Sequence, residues 1–273
     1  MSGTTSDTLD IDPPAFERVR RLLRARAGIE LADNRQSLVV ARLMRRVRAL
    51  GFDGFDPYLD LIEHDEPECT QFVSALTTNV TDFFRERHHF EALADLATRA
   101  SKNVPFKVWS AACSSGQEPW SIAMTLKATS DAPPTWKVLA TDIDAEILEK
   151  AKDGVYPVEQ AAAVAPELKA AHFSPDRTGC YLRVRDALRS RVFFAQLNLL
   201  GDWPMKGDFD AIFCRNVLIY FSPENRLTVV RRLTARLKPG GVLFLGHSEA
   251  VLGIQSELTP IGKTAFRRAG AQA

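Results

Sequence analysis

Polar side chains that could hold a nucleotide-like ligand follow four apolar runs of the chain. Ser114, Ser115, Gly116, Gln117 and Glu118 come just after FKVWSAA. Asp142 closes WKVLATD, Asn198 follows RVFFAQL, and Arg215 and Asn216 follow FDAIFC. Short β-rich runs of this kind read as strands, and open α/β sheets bind ligands just outside the carboxyl ends of their strands. An acid at the end of the second strand suits a ribose, because two adjacent hydroxyls can donate to one carboxylate. Asp142 fits that role, whereas Asp144 reads as the cap of the next helix. The first turn has one glycine where a dinucleotide fingerprint has three. A pyrophosphate needs close backbone approach and a helix N-terminus for its charge, yet Glu118 puts an acid in that space. Such an acid suits a cation. A ligand with a ribose and a positive, phosphate-free tail is S-adenosylmethionine. Glu118 also reads as a first-turn acid complementing the helix dipole, so these residues alone leave both readings open.

The elements around these residues fall into two kinds. Up to about residue 90 the pattern is helical. Pro13 and Pro14 precede Phe16, Val19, Leu23 and Ala27 at helical spacing, ending at Gly28. Val39, Leu43, Val47 and Leu50 form a second stripe, stopped by Gly51, and Tyr58 to Glu63 begins a third helix. After residue 104, β-rich runs alternate with helical segments at about 117–128, 145–153 and 223–238. That alternation predicts a doubly wound, mostly parallel sheet with helices on both faces. LKPGG before VLFLGHS reads as a helix stop and a turn. From about 157 to 190 the alternation breaks, with Pro157, Pro166 and Pro175 and a strand-like Tyr181–Val184, which predicts an inserted small β subdomain. The expected organisation is a disordered lead-in over 1–12, a helical domain over 13–90 and a sheet domain over 91–273.

Composition narrows the function. The 273 residues carry 35 basic and 34 acidic side chains, a formal net charge of +1, so the molecule as a whole is not built to bind nucleic acid. No stretch reaches the roughly 18 apolar residues of a membrane span. MSGTTSDTLDIDPP lacks the basic and apolar parts of a secretory signal. Cys69, Cys113, Cys180 and Cys214 are far apart, and His88 and His89 are neighbours that should not both face one metal from one helix face. Neither a metal site nor a disulfide framework is expected, and the thiols suit a reducing, cytoplasmic compartment. Cys113 and Cys214 read as small core residues.

Charge is nevertheless uneven. Between Glu17 and Leu50 there are ten arginines, no lysines and three acids. Arg35, Arg42 and Arg46 share one face of the second helix, with Arg45 beside them, and no acid lies four residues away to neutralise them. A solvated helix face and a docking surface for an acidic partner both fit this stripe.

Five stretches together resemble the CheR-type chemotaxis-receptor glutamate methyltransferases. They are LTTNVTDFFRERHHF (76–90), VWSAACSSGQEPWSIAM (108–124), VLATDIDAEILEKAKDGVY (138–156), FDAIFCRNVLIYF (209–221) and LKPGGVLFLGHSE (237–249). The resemblance implies an S-adenosylmethionine-dependent methyltransferase fold with a small all-α N-terminal domain and a small antiparallel β subdomain inserted. It implies methylation of glutamate side chains on chemoreceptor cytoplasmic helices, with S-adenosylhomocysteine as the product. The implied cofactor contacts are Asn79, Thr81, Arg85, Glu118, Asp142, Asn198, Leu199, Arg215 and Asn216, and Arg85 and Tyr220 are the matching residues nearest the transferred methyl. Arg42, Arg45 and Arg46 are then expected to dock the receptor.

Two departures stand out. Trp120 occupies a position where relatives often have tyrosine, a change of packing. The segment between Phe173 and Tyr181 is shorter than in relatives whose β subdomain grips a receptor tail peptide, so this chain is expected to work without that tether, and as a monomer. Two other functions remain on the residues alone. One is a nucleic-acid methyltransferase, against which Arg-Asn-Val-Leu-Ile-Tyr stands where a polar–Pro–Pro–aromatic motif is usual. The other is a non-catalytic module that senses the cofactor.

Overall fold

A computed structural model describes residues 10–249 and 257–270; most of the expected lead-in, residues 1–9, lies outside them. The chain divides into two compact units between Thr78 and Asn79.

The first unit holds four helices: α1 (Pro13–Ala27), α2 (Gln36–Ala49), α3 (Phe55–His64) and α4 (Glu66–Leu76). Helix α1 starts where predicted. Asp12 caps it by accepting from the Ala15 N–H at 2.8 Å, and Gly28 closes it by donating to the Arg24 carbonyl. Phe16, Val19, Leu23 and Ala27 are buried, as are Val39, Leu43 and Val47 of α2. Leu50 is not: it follows the last turn of α2 and is exposed. Helix α4 was not anticipated. Asp65 caps it, and Cys69, Phe72, Val73 and Leu76 form its buried side.

No acid lies four residues from the α2 arginines along their own helix, yet Arg46 is neutralised from across the bundle, and several α1 arginines pair with acids of other helices. Arg18 reaches Asp60 at 2.5 Å and Glu63 at 3.1 Å, and Arg26 reaches Glu66 at 2.6 Å. Arg46 holds Glu68 by two hydrogen bonds, and the buried Tyr58 hydroxyl donates to the same carboxylate at 2.9 Å. Arg42 donates to the carbonyls of Leu76 and Thr77, closing the end of α4. Arg45 differs: it is exposed, and no described acid pairs with it.

The second unit begins with α5 (His88–Arg99), β1 (Phe106–Ser110), α6 (Gln117–Ala128), β2 (Trp136–Asp142) and α7 (Ala145–Asp153). The insertion follows, with β3 (Val155–Pro157), α8 (Pro166–His172), β4 (Phe173–Pro175), β5 (Tyr181–Val184) and α9 (Asp186–Arg189). The chain then runs through β6 (Val192–Gln196), β7 (Phe209–Cys214), α10 (Pro223–Ala235), β8 (Leu237–Leu245), β9 (Leu258–Gly262) and β10 (Ala265–Arg268). Seven strands form one sheet in the order β6-β2-β1-β7-β8-β10-β9. The first five are mutually parallel, and β10 runs antiparallel to both its neighbours. Strand order reverses at β1, so the ligand crevice of such a sheet lies at the carboxyl ends of β1 and β7. The insertion forms its own antiparallel sheet, β3-β5-β4, in which Leu182 and Val184 face inward and Tyr181 and Arg183 outward.

Three details differ from the sequence reading. Residues 79–90 belong to the second unit, because Phe83 and Phe90 pack into its core. LKPGG is part of β8 rather than a turn before it; α10 stops at Ala235, and the β7–β8 pairing shifts register between Phe209 and Ala211. The β9–β10 hairpin went unrecognised, since its buried positions are few and Pro260 and Gly262 interrupt the first strand's pattern.

The first unit's buried charge yields a stability test. Arg46 is 38% exposed and Glu68 6%, so removing Arg46 strands a carboxylate that water barely reaches. Arg46→Ala should destabilise the protein by about 2 kcal/mol, below the roughly 3–5 kcal/mol of a fully buried pair because Arg46 is partly solvated. Arg45→Ala should stay within about 0.5 kcal/mol of wild type. Urea denaturation of both variants measures the contrast.

Candidate active site

The β1–α6 turn is shaped by packing before any ligand is considered. Gly116 has φ 96°, and a Cβ there would lie 2.7 Å from the Tyr156 hydroxyl and 2.9 Å from Ala151 Cα in α7. The single glycine therefore lets α7 and β3 close over the turn. Tyr156 fastens it by donating to the Ser115 carbonyl at 2.7 Å. Ser114, at φ 48°, turns its N–H onto Asp142 Oδ2 at 2.8 Å, and the Asp144 N–H reaches Asp142 Oδ1 at 3.1 Å. Burial pushes the Asp142 carboxyl up from its ordinary pKa, and these N–H groups pull it back. Asp144 caps α7, as expected, by accepting from the Glu146 and Ile147 N–H groups; its other oxygen takes Asn79 Nδ2 at 2.8 Å. Asn198 and Leu199 arrive beside Asp142 because the Leu197 N–H donates to the Asp142 carbonyl. Asn198 Oδ1 holds the next turn through Leu200 N.

Glu118 is buried in the first turn of α6 and already faces a cation of the chain. Its Oε1 accepts from Ser110 Oγ at 2.7 Å and its Oε2 lies 3.1 Å from Arg215 Nη1. Burial raises its pKa, while Arg215 and Ser110 oppose the rise. The other end of Arg215 donates to the Arg85 carbonyl at 2.6 Å and lies 3.4 Å from Glu86 Oε1. Arg215 Nε is buried without a hydrogen-bond partner among the described residues. The site thus offers a buried donor, two buried acids and no phosphate cradle. These features fit the amino, carboxyl and ribose groups of S-adenosylmethionine, since each Glu118 oxygen keeps a second lone pair.

Arg85 sits in a shaped loop. Phe84 and Glu86 on either side have φ 53° and 59°, a region that residues with side chains seldom occupy. The Phe84 N–H donates to Ser121 Oγ of α6, and Arg87 reaches the Ala163 carbonyl. Arg85 itself is half-buried, with Nη1 3.2 Å from the Val80 carbonyl. Thr81 is half-buried in the same loop, and Tyr220, also half-buried, ends the short 3-10 turn Leu218–Tyr220.

Glu249 was quoted in the sequence as part of GHSE but given no role. It is buried, and it accepts from the backbone N–H groups of Gly246 (2.6 Å), Asn216 (3.0 Å) and Leu218 (2.7 Å). It thereby holds Asn216 at φ 59° and sets the turn leading to Tyr220. Glu86 was missed as well. The only sequence signal for either was an acid among uncharged neighbours or beside histidines, which is too common to read. His88 and His89 come together more closely than their spacing suggested: their ring centroids lie 4.2 Å apart, and with Glu86 they offer ligand atoms within 4.8 Å of one another. Burial, aided by Arg215, lowers the His89 pKa to about 4, so the ring is neutral. Cys113 and Cys214 are buried, and burial drives their thiols well up, which rules them out as nucleophiles at neutral pH. Arg42, Arg45 and Arg46 belong to the first unit.

Comparison with known proteins agrees with the geometry. Residues 79–266 match the family profile described as CheR methyltransferase, SAM binding domain, and residues 14–77 match CheR methyltransferase, all-alpha domain. Similar proteins include the chemotaxis protein methyltransferases of Escherichia coli K12 and Salmonella typhimurium LT2, each 45% identical. They cover 96% and 97% of this chain, and the matches span 93% and 96% of those proteins. The chemotaxis protein methyltransferase 2 of Pseudomonas aeruginosa is 42% identical over 92% of this chain and 91% of its own length. The two profile matches meet at the boundary between the compact units, and the chain belongs to the CheR methyltransferase family of S-adenosylmethionine-dependent enzymes.

Proposed function

We propose that the protein methylates glutamate side chains on the cytoplasmic helices of chemoreceptors, giving glutamyl methyl esters and S-adenosylhomocysteine. The observation that supports the cofactor reading is the pair of buried acids, Glu118 just after the β1–α6 turn and Asp142 at the end of β2, which would repel a pyrophosphate. The receptor substrate rests on family membership. When bound, S-adenosylmethionine supplies a methyl group already activated on a positive sulfur. Asp142 would hold the ribose, and Glu118 the amino group. Arg215 and Asn216 would take the remaining polar groups, with Asn79, Thr81, Asn198 and Leu199 around them.

The substrate carboxylate has an ordinary pKa of about 4.3 and is an anion at neutral pH, so the chain needs no general base. Its work is alignment and exclusion of water, and alignment alone can supply roughly 7–11 kcal/mol. Arg85 orients the reacting carboxylate, and the Tyr220 hydroxyl steers it. Arg45 docks the acidic receptor helix, while Arg42 and Arg46 hold the helices behind it. No helix of the described residues is long and apolar enough to cross a membrane, in keeping with a cytoplasmic site of action. The protein acts as a monomer and needs no tail-peptide tether, given the short link between β4 and β5.

Incubation with methyl-labelled S-adenosylmethionine and receptor signalling domains tests the reaction. Label released by mild base identifies a carboxyl ester; base-stable label would refute it. Arg85→Ala should lower kcat by about 100-fold or more and weaken cofactor binding by a smaller factor, and Tyr220→Phe should lower kcat less. Near-normal turnover in both variants would contradict their roles.

Two further outcomes follow from the electrostatics. The raised pKa values of Glu118 and Asp142 mean that they protonate above the ordinary carboxylate range as pH falls, losing their acceptor charge. Cofactor affinity, followed by calorimetry, should therefore decline on acidification before exposed carboxylates titrate. In Glu118→Gln it should start lower and show a weaker pH dependence. Arg45→Glu should raise KM for receptor several-fold and leave cofactor affinity unchanged.

A further inference from the structure

Glu86, His88 and His89 each place a ligand atom within 4.8 Å of the others. His247 stands outside that group, but its exposed side chain reaches to 3.8 Å from Glu86 Oε2 through Nδ1, while His89 Nδ1 lies 3.6 Å from the same oxygen. Donors around a four-coordinate zinc ion stand about 3.3 Å apart, so two of these separations need only a small adjustment. Glu86 Oε2 and His89 Nδ1 are both buried with no hydrogen-bond partner among the described residues. Two such atoms facing each other are costly to leave unmatched.

The tautomers are settled by the neighbours. Nε2 of His88 and Nε2 of His89 each lie 3.2 Å from the Lys263 carbonyl, and His89 Nε2 also lies 3.0 Å from Thr264 Oγ1. A carbonyl only accepts, so a neutral His89 that donates there from Nε2 keeps its Nδ1 lone pair facing Glu86 Oε2. An imidazole N–H held by a backbone carbonyl is the usual outer support of a metal-bound histidine. Glu86 is held at φ 59°, which fixes its carboxylate beside the rings. His247 is 67% exposed and gives the site an opening to solvent.

We propose that Glu86, His88, His89 and His247 form a binding site for one late first-row divalent metal ion, with Zn2+ as the representative. Three imidazoles and a carboxylate suit Zn2+, Ni2+ or Cu2+ and disfavour Mg2+ and Ca2+. The site shares Glu86 with Arg215, whose Nη2 lies 3.4 Å from the other Glu86 oxygen, so it adjoins the active site without using its ligand-binding atoms.

The test uses tag-free, full-length protein without cofactor or receptor, so its outcome is independent of the methylation reading. Calorimetry with Zn2+ should show one equivalent bound per chain. Co2+ should give the intense visible bands of a four-coordinate ion. His88→Ala and His247→Ala, both outside the fully buried core, should each weaken binding at least tenfold while circular dichroism shows an intact fold. Absence of a one-to-one Zn2+ isotherm, or wild-type affinity in both variants, would overturn the site.

Discussion

A single guanidinium organises the catalytic end of the sheet. Arg215 is almost fully buried, and an arginine cannot shed its charge to ease that burial. It must instead be surrounded. Glu118 comes from α6, Glu86 and the Arg85 carbonyl from the loop before α5, and Ser110 from the end of β1 supports Glu118. One desolvated cation therefore ties together elements up to 130 residues apart in sequence. Breaking a buried pair from one side leaves an unpaired charge, so each partner constrains the others. This accounts for the unusual backbone on both sides of Arg85. The loop must present a carbonyl to Arg215 while leaving the Arg85 side chain at the rim, and two consecutive-but-one residues with positive φ make that possible.

What could be read from the sequence was whatever is local. Asp142 at a strand end, Asp144 as a cap and the helix after Gly116 each depend on neighbours within a few residues, and periodicity carries that information. The partner of Glu118 could not be read the same way. Its charge suits a ligand cation or the helix dipole, both of which the sequence offered; the fold adds Arg215, 97 residues away. Glu249 is a similar case. Two of its three backbone partners, Asn216 and Leu218, become visible only when β8 is laid beside β7. The same limit explains the arginine stripe. Along α2 no acid stands at the spacing that would neutralise it, yet Glu68 arrives from α4 across the bundle. Helical spacing describes one helix's face and is silent about what packs on it.

The loop between β1 and α6 shows how packing and selectivity were separated. A phosphate-binding turn spends its glycines on backbone approach to the ligand. Here the one glycine is spent on the protein itself: Gly116 admits Tyr156 and Ala151 at distances no Cβ would tolerate. With the backbone committed to α7 and β3, recognition passes to side chains. Glu118 and Asp142 are both buried, and burial makes each carboxylate costly to keep charged. An anionic ligand would add to that cost. A ligand carrying an ammonium and hydroxyl donors would relieve it, and the Arg215 Nε donor would still have a carboxylate to meet. The buried acids thus disfavour a pyrophosphate by charge and favour a cofactor whose polar tail is a zwitterion.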